Sequence, residues 1–280
     1  MHLSALLSEA KTPELPNSKK LSLRNLNNIT MSKAIIPNTI TCCNLICGCI
    51  ATAAGFDGGF LTAFAFILLG AFFDFFDGLT ARSLGVSGKF GIQLDSLADV
   101  VTFGVAPSAM LFSMFSKVAY PAFMYSSFWF TVMPFTAFLI AAFSALRLAK
   151  FNIDERQHTG FIGMPTPANA IFWGAIITGS QEYMSSPRFN VIFLFAFMIM
   201  FCWLMVSEIR MFSLKFKNLS WDDNKVKYVF VMSAIIILIL SAGQSDGSTA
   251  NTIQMLSRGV AGCIGLYILM SILTHFRRED

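Results

Sequence analysis

The sequence predicts an all-α, polytopic membrane protein of about eight transmembrane helices, and two observations carry that reading. Hydrophobic residues make up 55% of the 280 residues and charged residues only 13%, with a mean hydropathy of +0.64; soluble domains carry roughly 25% charge. Apolar runs of about 20 residues, the length that crosses a bilayer as a helix, recur from Ile35 to Phe276.

Taken in order, residues 1–33 are polar and basic and lack a sustained apolar stretch before a small-residue cleavage site, so they read as a cytoplasmic tail and not as a signal peptide. Leu21, Leu23, Leu26 and Ile29 are loosely spaced along it. An interfacial helix lying on anionic lipid and a disordered tail are both compatible with that spacing. Spans follow near residues 35–55, 60–82, 92–115, 127–149, 167–184, 190–208, 227–243 and 258–275. No composition break divides residues 34–280, which read as one transmembrane domain.

Charge supports the count. With the amino terminus in the cytoplasm, eight spans leave only Lys117, Arg188 and Arg258 outside among the 20 Lys and Arg. Seven spans would carry Arg277 and Arg278 to the wrong side. Both termini are thus expected in the cytoplasm of a multi-pass cell (inner) membrane protein. Topology accounts for the net charge of +4, which gives no reason to expect nucleic acid as a partner. The cytoplasmic connection from Arg210 to Lys225 is basic enough to attract anionic headgroups, and the polar stretch from Gly243 to Ser257 reads as an external loop. Cys42, Cys43, Cys47, Cys49, Cys202 and Cys263 all fall inside spans without companion histidines, so they read as small hydrophobes and not as a zinc site.

Against this apolar background four aspartates stand out. They are framed as Asp74-Phe-Phe-Asp77-Gly78-Leu-Thr-Ala81-Arg82, then eight residues, then Gly91-Ile-Gln-Leu-Asp95-Ser-Leu-Ala-Asp99. Asp74 and Asp77 share one face of the second span with Gly78 and Ala81, and Gly91, Asp95 and Asp99 form one stripe on the third. The short connection makes these spans antiparallel neighbours, so both acidic faces can converge below the cytoplasmic surface. Carboxylates at membrane depth are costly unless a cation or water-filled cavity receives them. An oxygen-only set selects a hard cation such as Mg²⁺ or Mn²⁺. Two such ions could bridge a diphosphate. Gly78, Ala81 and Gly91 would let a nucleotide approach the backbone, and Arg82 suits a phosphate. Asn38, Thr41 and Asn44 add a polar stripe on the first span that could bind the nucleotide or join helices.

The complete pattern, D-x2-D-G-x2-A-R-x8-G-x3-D-x3-D, resembles the signature of the CDP-alcohol phosphatidyltransferases at every fixed position. That resemblance implies transfer of a phosphatidyl group from a CDP-lipid to an alcohol with release of CMP. It implies a two-metal centre held by Asp74, Asp77, Asp95 and Asp99, with Asp99 as the catalytic base for the acceptor hydroxyl. Gly78, Ala81, Arg82 and Gly91 would shape the nucleotide pocket, and the family's members are commonly homodimers.

Four further segments are similar to the phosphatidylserine synthases of bacteria and archaea. They are Pro37-Asn38 through Asn44-Leu45, Leu97-Ala98-Asp99 through Ala106-Pro107, Ala145-Leu146-Arg147-Leu148-Ala149-Lys150-Phe151-Asn152, and Phe161-Ile162-Gly163-Met164-Pro165-Thr166-Pro167-Ala168. The likeness covers residues 35–217, the catalytic core it implies, and leaves residues 227–275 as extra helices. It implies CDP-diacylglycerol and L-serine as substrates within membrane lipids. Arg147 is the first candidate for the serine carboxylate, followed by Lys150 and Asn152, while snorkelling is the competing account of Arg147. His158 and Arg156 lie in the next cytoplasmic connection, and Thr166 either lines a pocket or starts a helix. Glycerol phosphate or inositol phosphate as acceptor remains an alternative, as does an ion path, although acids confined to the cytoplasmic half of two spans fit a transporter poorly.

Overall fold

The computed structural model describes residues 17–86, 88–154, 161–212 and 220–276. Among them are eight long helices: α1 (Asn17–Phe56), α2 (Phe60–Leu84), α3 (Lys89–Phe115), α4 (Ser127–Ile153), α5 (Thr166–Met184), α6 (Val191–Val206), α7 (Trp221–Gly243) and α8 (Thr249–Phe276). The protein is a helical membrane protein. Six of the helices are long and apolar enough to cross a bilayer by length and composition, and α5 and α6 are not among them. The reasons are length for α6 and polar composition for α5. Helix α6 has only 16 residues, and α5 packs within the bundle with Thr166, Asn169 and Thr178 buried, so protein and not lipid meets much of its surface.

Helix α3 is the centre of the bundle. Of its most apolar window 72% is buried, against 33% for α1 and α2, and α1, α2, α4 and α5 pack around it. The helix is not uniform. From Val100 to Val105 its backbone widens to π-helical pitch, with the Ala106 N–H bonding the Val101 carbonyl. Pro107, which has no N–H to offer the preceding turn, follows directly. Pro134 has a similar effect on α4, where a tight turn over Thr136–Phe138 interrupts the helix.

Two features depart from the expected boundaries. The backbone of residues 17–32 is helical and continuous with the first span, so α1 extends well before Ile35. Helix α8 begins at Thr249, inside the stretch expected to be an external loop. Turn chemistry explains the early start: Asp246 Oδ1 accepts from the Ser248 N–H at 2.9 Å, and Ser248 Oγ accepts from the Asn251 N–H at 3.3 Å.

A two-residue antiparallel ribbon, β1 (Phe161–Ile162) with β2 (Arg210–Met211), ties the entry of α5 to the exit of α6. Gly163 follows it at φ +74, where its N–H reaches the Ile209 carbonyl at 2.9 Å and a Cβ would lie 3.1 Å from the Met205 carbonyl carbon. Helix α7 is peripheral. It rests on α8, where Gly259 abuts Ser241, and none of its most apolar window is buried.

Candidate active site

Gly85 sets the geometry that brings the acidic residues together. It adopts φ +64 after Leu84, its N–H bonds the Arg82 carbonyl at 3.2 Å, and the Val86 N–H bonds the Ala81 carbonyl at 3.0 Å. This closure ends α2 with satisfied carbonyls and lets the chain return as α3 from Lys89. Asp74 and Asp77 on α2 therefore face Asp95 and Asp99 on α3.

Three of the four carboxylates cluster. One oxygen from each of Asp74, Asp95 and Asp99 lies within 4.8 Å of the others. Asp77 stands outside that group, is buried, and accepts a hydrogen bond from Thr41 Oγ1 at 2.6 Å. Asp99 is also buried and accepts from Asn44 Nδ2 at 3.1 Å. The polar stripe on α1 is thus directed at the aspartates: Thr41 holds one carboxylate and Asn44 another. Asn38, the third member, lies beside Gly91, where a Cβ would sit 3.5 Å from its Oδ1.

Asn44 is in turn held from α3. Thr102 Oγ1 donates to the Asn44 backbone carbonyl at 3.0 Å. The contact needs close approach of three helices, which the glycines of α1 and α2 permit. A Cβ on Gly70 would meet Thr102 Cγ2 at 2.5 Å, and one on Gly48 would meet the Thr102 Cα at 2.8 Å. The widened turn of α3 begins one residue after Asp99, so the catalytic candidate sits at the junction between ordinary and π-helical pitch.

The remaining candidates are spread over the same end of the bundle. Arg82 is exposed at the end of α2, with Gly78 3.3 Å from its Nη1 when a Cβ is added, and Ala81 is half-buried. Arg147 is buried in α4, its guanidinium 5.4 Å from the Phe151 ring centre and within electrostatic reach of Asp99. Its Nε and Nη2 have no hydrogen-bond partner among the described residues. Lys150 instead pairs with Glu208 at 2.5 Å in an exposed contact. Asn152 Nδ2 donates to Ser96 Oγ at 2.8 Å, fastening the end of α4 to α3 next to Asp95. His158 and Arg156 lie outside the described residues.

Sequence reasoning missed the roles of Thr102, Glu208 and Ser96. Thr102 falls three residues after Asp99 on the same face, a spacing that could have flagged it. Glu208 is an acid at the end of α6, with no local pattern to link it to Lys150. The oxygen set suits a hard cation: among the described residues no Lys or Arg makes an ion pair with any of the four aspartates, and no Cys or His joins the cluster.

Residues 34–267 match the family model of CDP-alcohol phosphatidyltransferase. The chain belongs to this family. Among relatives of this CDP-alcohol phosphatidyltransferase, the CDP-diacylglycerol–serine O-phosphatidyltransferase of Bacillus subtilis (strain 168) is 41% identical over 136 residues, covering 47% of this chain and 69% of the relative. The protein of the same name from Methanocaldococcus jannaschii is 33% identical over 204 residues, covering 73% and 83%. That from Helicobacter pylori (strain 26695) is 28% identical over 207 residues, covering 73% and 82%. The family match takes in α1 from Ala34 through most of α8, and so includes every candidate residue described above.

Proposed function

We propose that this enzyme transfers the phosphatidyl group of CDP-diacylglycerol to the hydroxyl of L-serine, giving phosphatidylserine and CMP. The observation that carries the reading is the convergence of Asp74, Asp95 and Asp99 within 4.8 Å in a member of this family. Relatives that span most of this chain and carry the serine transferase name support the choice of acceptor.

Asp74, Asp95 and Asp99 would hold a divalent cation, Mg²⁺ or Mn²⁺, with Asp77 completing a two-metal set. Bound there, such ions neutralise the diphosphate and stabilise charge on the departing CMP. Asn44 orients the Asp99 carboxylate, which takes the proton from the serine hydroxyl as its oxygen attacks the phosphorus that carries the lipid. The new oxygen–phosphorus bond forms as the bond to the CMP oxygen breaks. Thr41 fixes Asp77 in the same way. Gly78, Ala81, Arg82, Gly91 and Asn38 line the nucleotide side, and Arg147 receives the serine carboxylate, with Lys150 and Asn152 at the rim.

The reading places the enzyme in the cell (inner) membrane with both termini cytoplasmic, the catalytic core over residues 35–217, and α7 and α8 as added helices. A homodimer belongs to the same reading through the family resemblance.

The test is CMP release by purified protein with CDP-diacylglycerol and Mg²⁺ or Mn²⁺, offering serine, glycerol 3-phosphate, inositol or inositol phosphate separately. Release that requires serine and metal, and is lost in Asp99→Asn, is the expected result. Release with another alcohol alone would overturn the acceptor while keeping the reaction type.

A further inference from the structure

Helix α5 carries a row of buried polar groups that the mechanism above does not use. Thr166, Asn169 and Trp173 are fully buried and fall at i, i+3 and i+7, on one face of the helix. Thr166 Oγ1, Trp173 Nε1 and both Nδ2 and Oδ1 of Asn169 have no hydrogen-bond partner among the described residues. A buried amide with neither end satisfied is uncommon in a folded protein and costly to keep, because its lost hydration is not replaced. Their hydrogen-bonding capacity is therefore open to a polar ligand.

The location is specific. Helix α5 packs against the widened segment Val100–Val105, which directly follows Asp99, and α4, which carries Arg147, packs against the same segment. Arg147 is buried too, with Nε and Nη2 likewise unpartnered, and its charge acts on Asp99. Unsatisfied groups from two helices therefore flank the turn that adjoins the catalytic candidate.

Their chemistry is complementary. A guanidinium only donates, so Arg147 can bind a carboxylate and cannot accept from an ammonium group. Asn169 offers a carbonyl acceptor beside an NH₂ donor, and Thr166 a hydroxyl that does both. A donor-only cation together with an amide and a hydroxyl is the complement of an α-amino acid, which presents a carboxylate and an ammonium on the same carbon. We propose that Asn169, assisted by Thr166, recognises the ammonium group of the acceptor amino acid while Arg147 takes its carboxylate. The proposal rests on the serine reading and names specificity residues within it. An acceptor bearing a phosphate and no amine would leave Asn169 Oδ1 without an ammonium donor.

The experiment compares wild type, Asn169→Leu and Thr166→Val as purified full-length enzyme with CDP-diacylglycerol and Mn²⁺. It varies serine and CDP-diacylglycerol separately, and records the thermal midpoint with and without serine. The expected result for N169L is a serine KM raised by about tenfold or more, from loss of hydrogen bonds to a charged group. Its KM for CDP-diacylglycerol should change less than about twofold, because no lipid contact is removed. Its midpoint without serine should not fall, since the amide has no partner to lose, and serine should no longer raise it. T166V should shift the serine KM in the same direction by a smaller factor.

An unchanged serine KM in folded N169L overturns the proposal, as does an equal rise in both KM values or a lowered midpoint with normal KM. If N169L does not fold, T166V decides: a serine KM equal to wild type overturns the proposal. Wild type that releases CMP only with a different alcohol overturns the serine reading itself, before any variant is compared.

Discussion

The side-chain amide of Asn44 on α1 donates to Asp99 Oδ1 on α3 at 3.1 Å, across a boundary that no stretch of local sequence spans. The Asn44 side chain is fully buried and packs so closely on Gly70 that a Cβ there would lie 3.0 Å from its Oδ1, so the amide has little freedom to turn away. The first helix thus orients the carboxylate most deeply involved in the proposed chemistry.

Groups that orient a metal-binding carboxylate typically contribute 10- to 100-fold in metal affinity or activity. Asn44→Ala should therefore raise the Mn²⁺ concentration needed for half-maximal CMP release by roughly that factor. Metal titrations of wild type and variant check it; unchanged metal dependence would show that Asp99 needs no such support. Thr41→Val should act in the same direction through Asp77.

Asp99→Asn keeps the volume and removes the proton acceptor. CMP release should fall by about 10²- to 10⁴-fold, the range for losing a general base, while the protein remains folded by circular dichroism. Residual activity near wild type would assign the base to another group.

Removing metal with a chelator should abolish CMP release, and Mg²⁺ or Mn²⁺ should restore it, because an all-oxygen site favours hard cations. Zinc restoring full activity would contradict that donor chemistry.

Arg147 and Lys150 lie three residues apart yet should behave differently. Arg147→Lys loses the planar fork and should raise the serine KM despite the retained charge. Lys150→Ala breaks an exposed pair with Glu208, 39% and 61% accessible respectively, so stability should change by no more than about 1 kcal/mol. Kinetics and thermal melts of the two variants separate these cases; a larger serine effect at Lys150 than at Arg147 would reverse the assignment.

Gly48→Ala would drive a Cβ against the Thr102 backbone, with 2.8 Å to its Cα and 2.9 Å to its nitrogen. Backbone cannot give way as a flexible side chain does, so about 1–3 kcal/mol of destabilisation is expected, along with weaker metal binding. A melt in lipid or detergent together with the Mn²⁺ titration tests both.

Much of this was legible in the residues. The aspartates announced themselves because carboxylates are rare in apolar runs, and i, i+3 and i+4 spacing placed them on shared faces. Apolar length located the helices, most securely where lipid rather than protein surrounds them. Less was legible where a partner lies far along the chain. Nothing near Thr41 or Asn44 says that their hydrogen bonds run to Asp77 and Asp99. Nothing near Lys150 says that it pairs with Glu208, 58 residues later. The widening after Asp99 has only Pro107 as a local sign, and the helix read over 167–184 does not reveal that Thr166 and Asn169 are buried in the bundle.

The peripheral seat of α7 has a consequence for sequence drift. Met232, Ile236, Ile239 and Leu240 point away from the bundle, into acyl chains that are as apolar as the side chains themselves. Shape is unconstrained there, so any of these four should exchange freely for another large aliphatic or phenylalanine. Gly259 on α8, where a Cβ would lie 2.9 Å from Ser241 Cβ, has no such latitude. Two neighbouring helices at the edge of the protein should therefore accumulate change at very different rates, the outer one free in identity and bound only by oiliness, the inner one pinned at its point of contact.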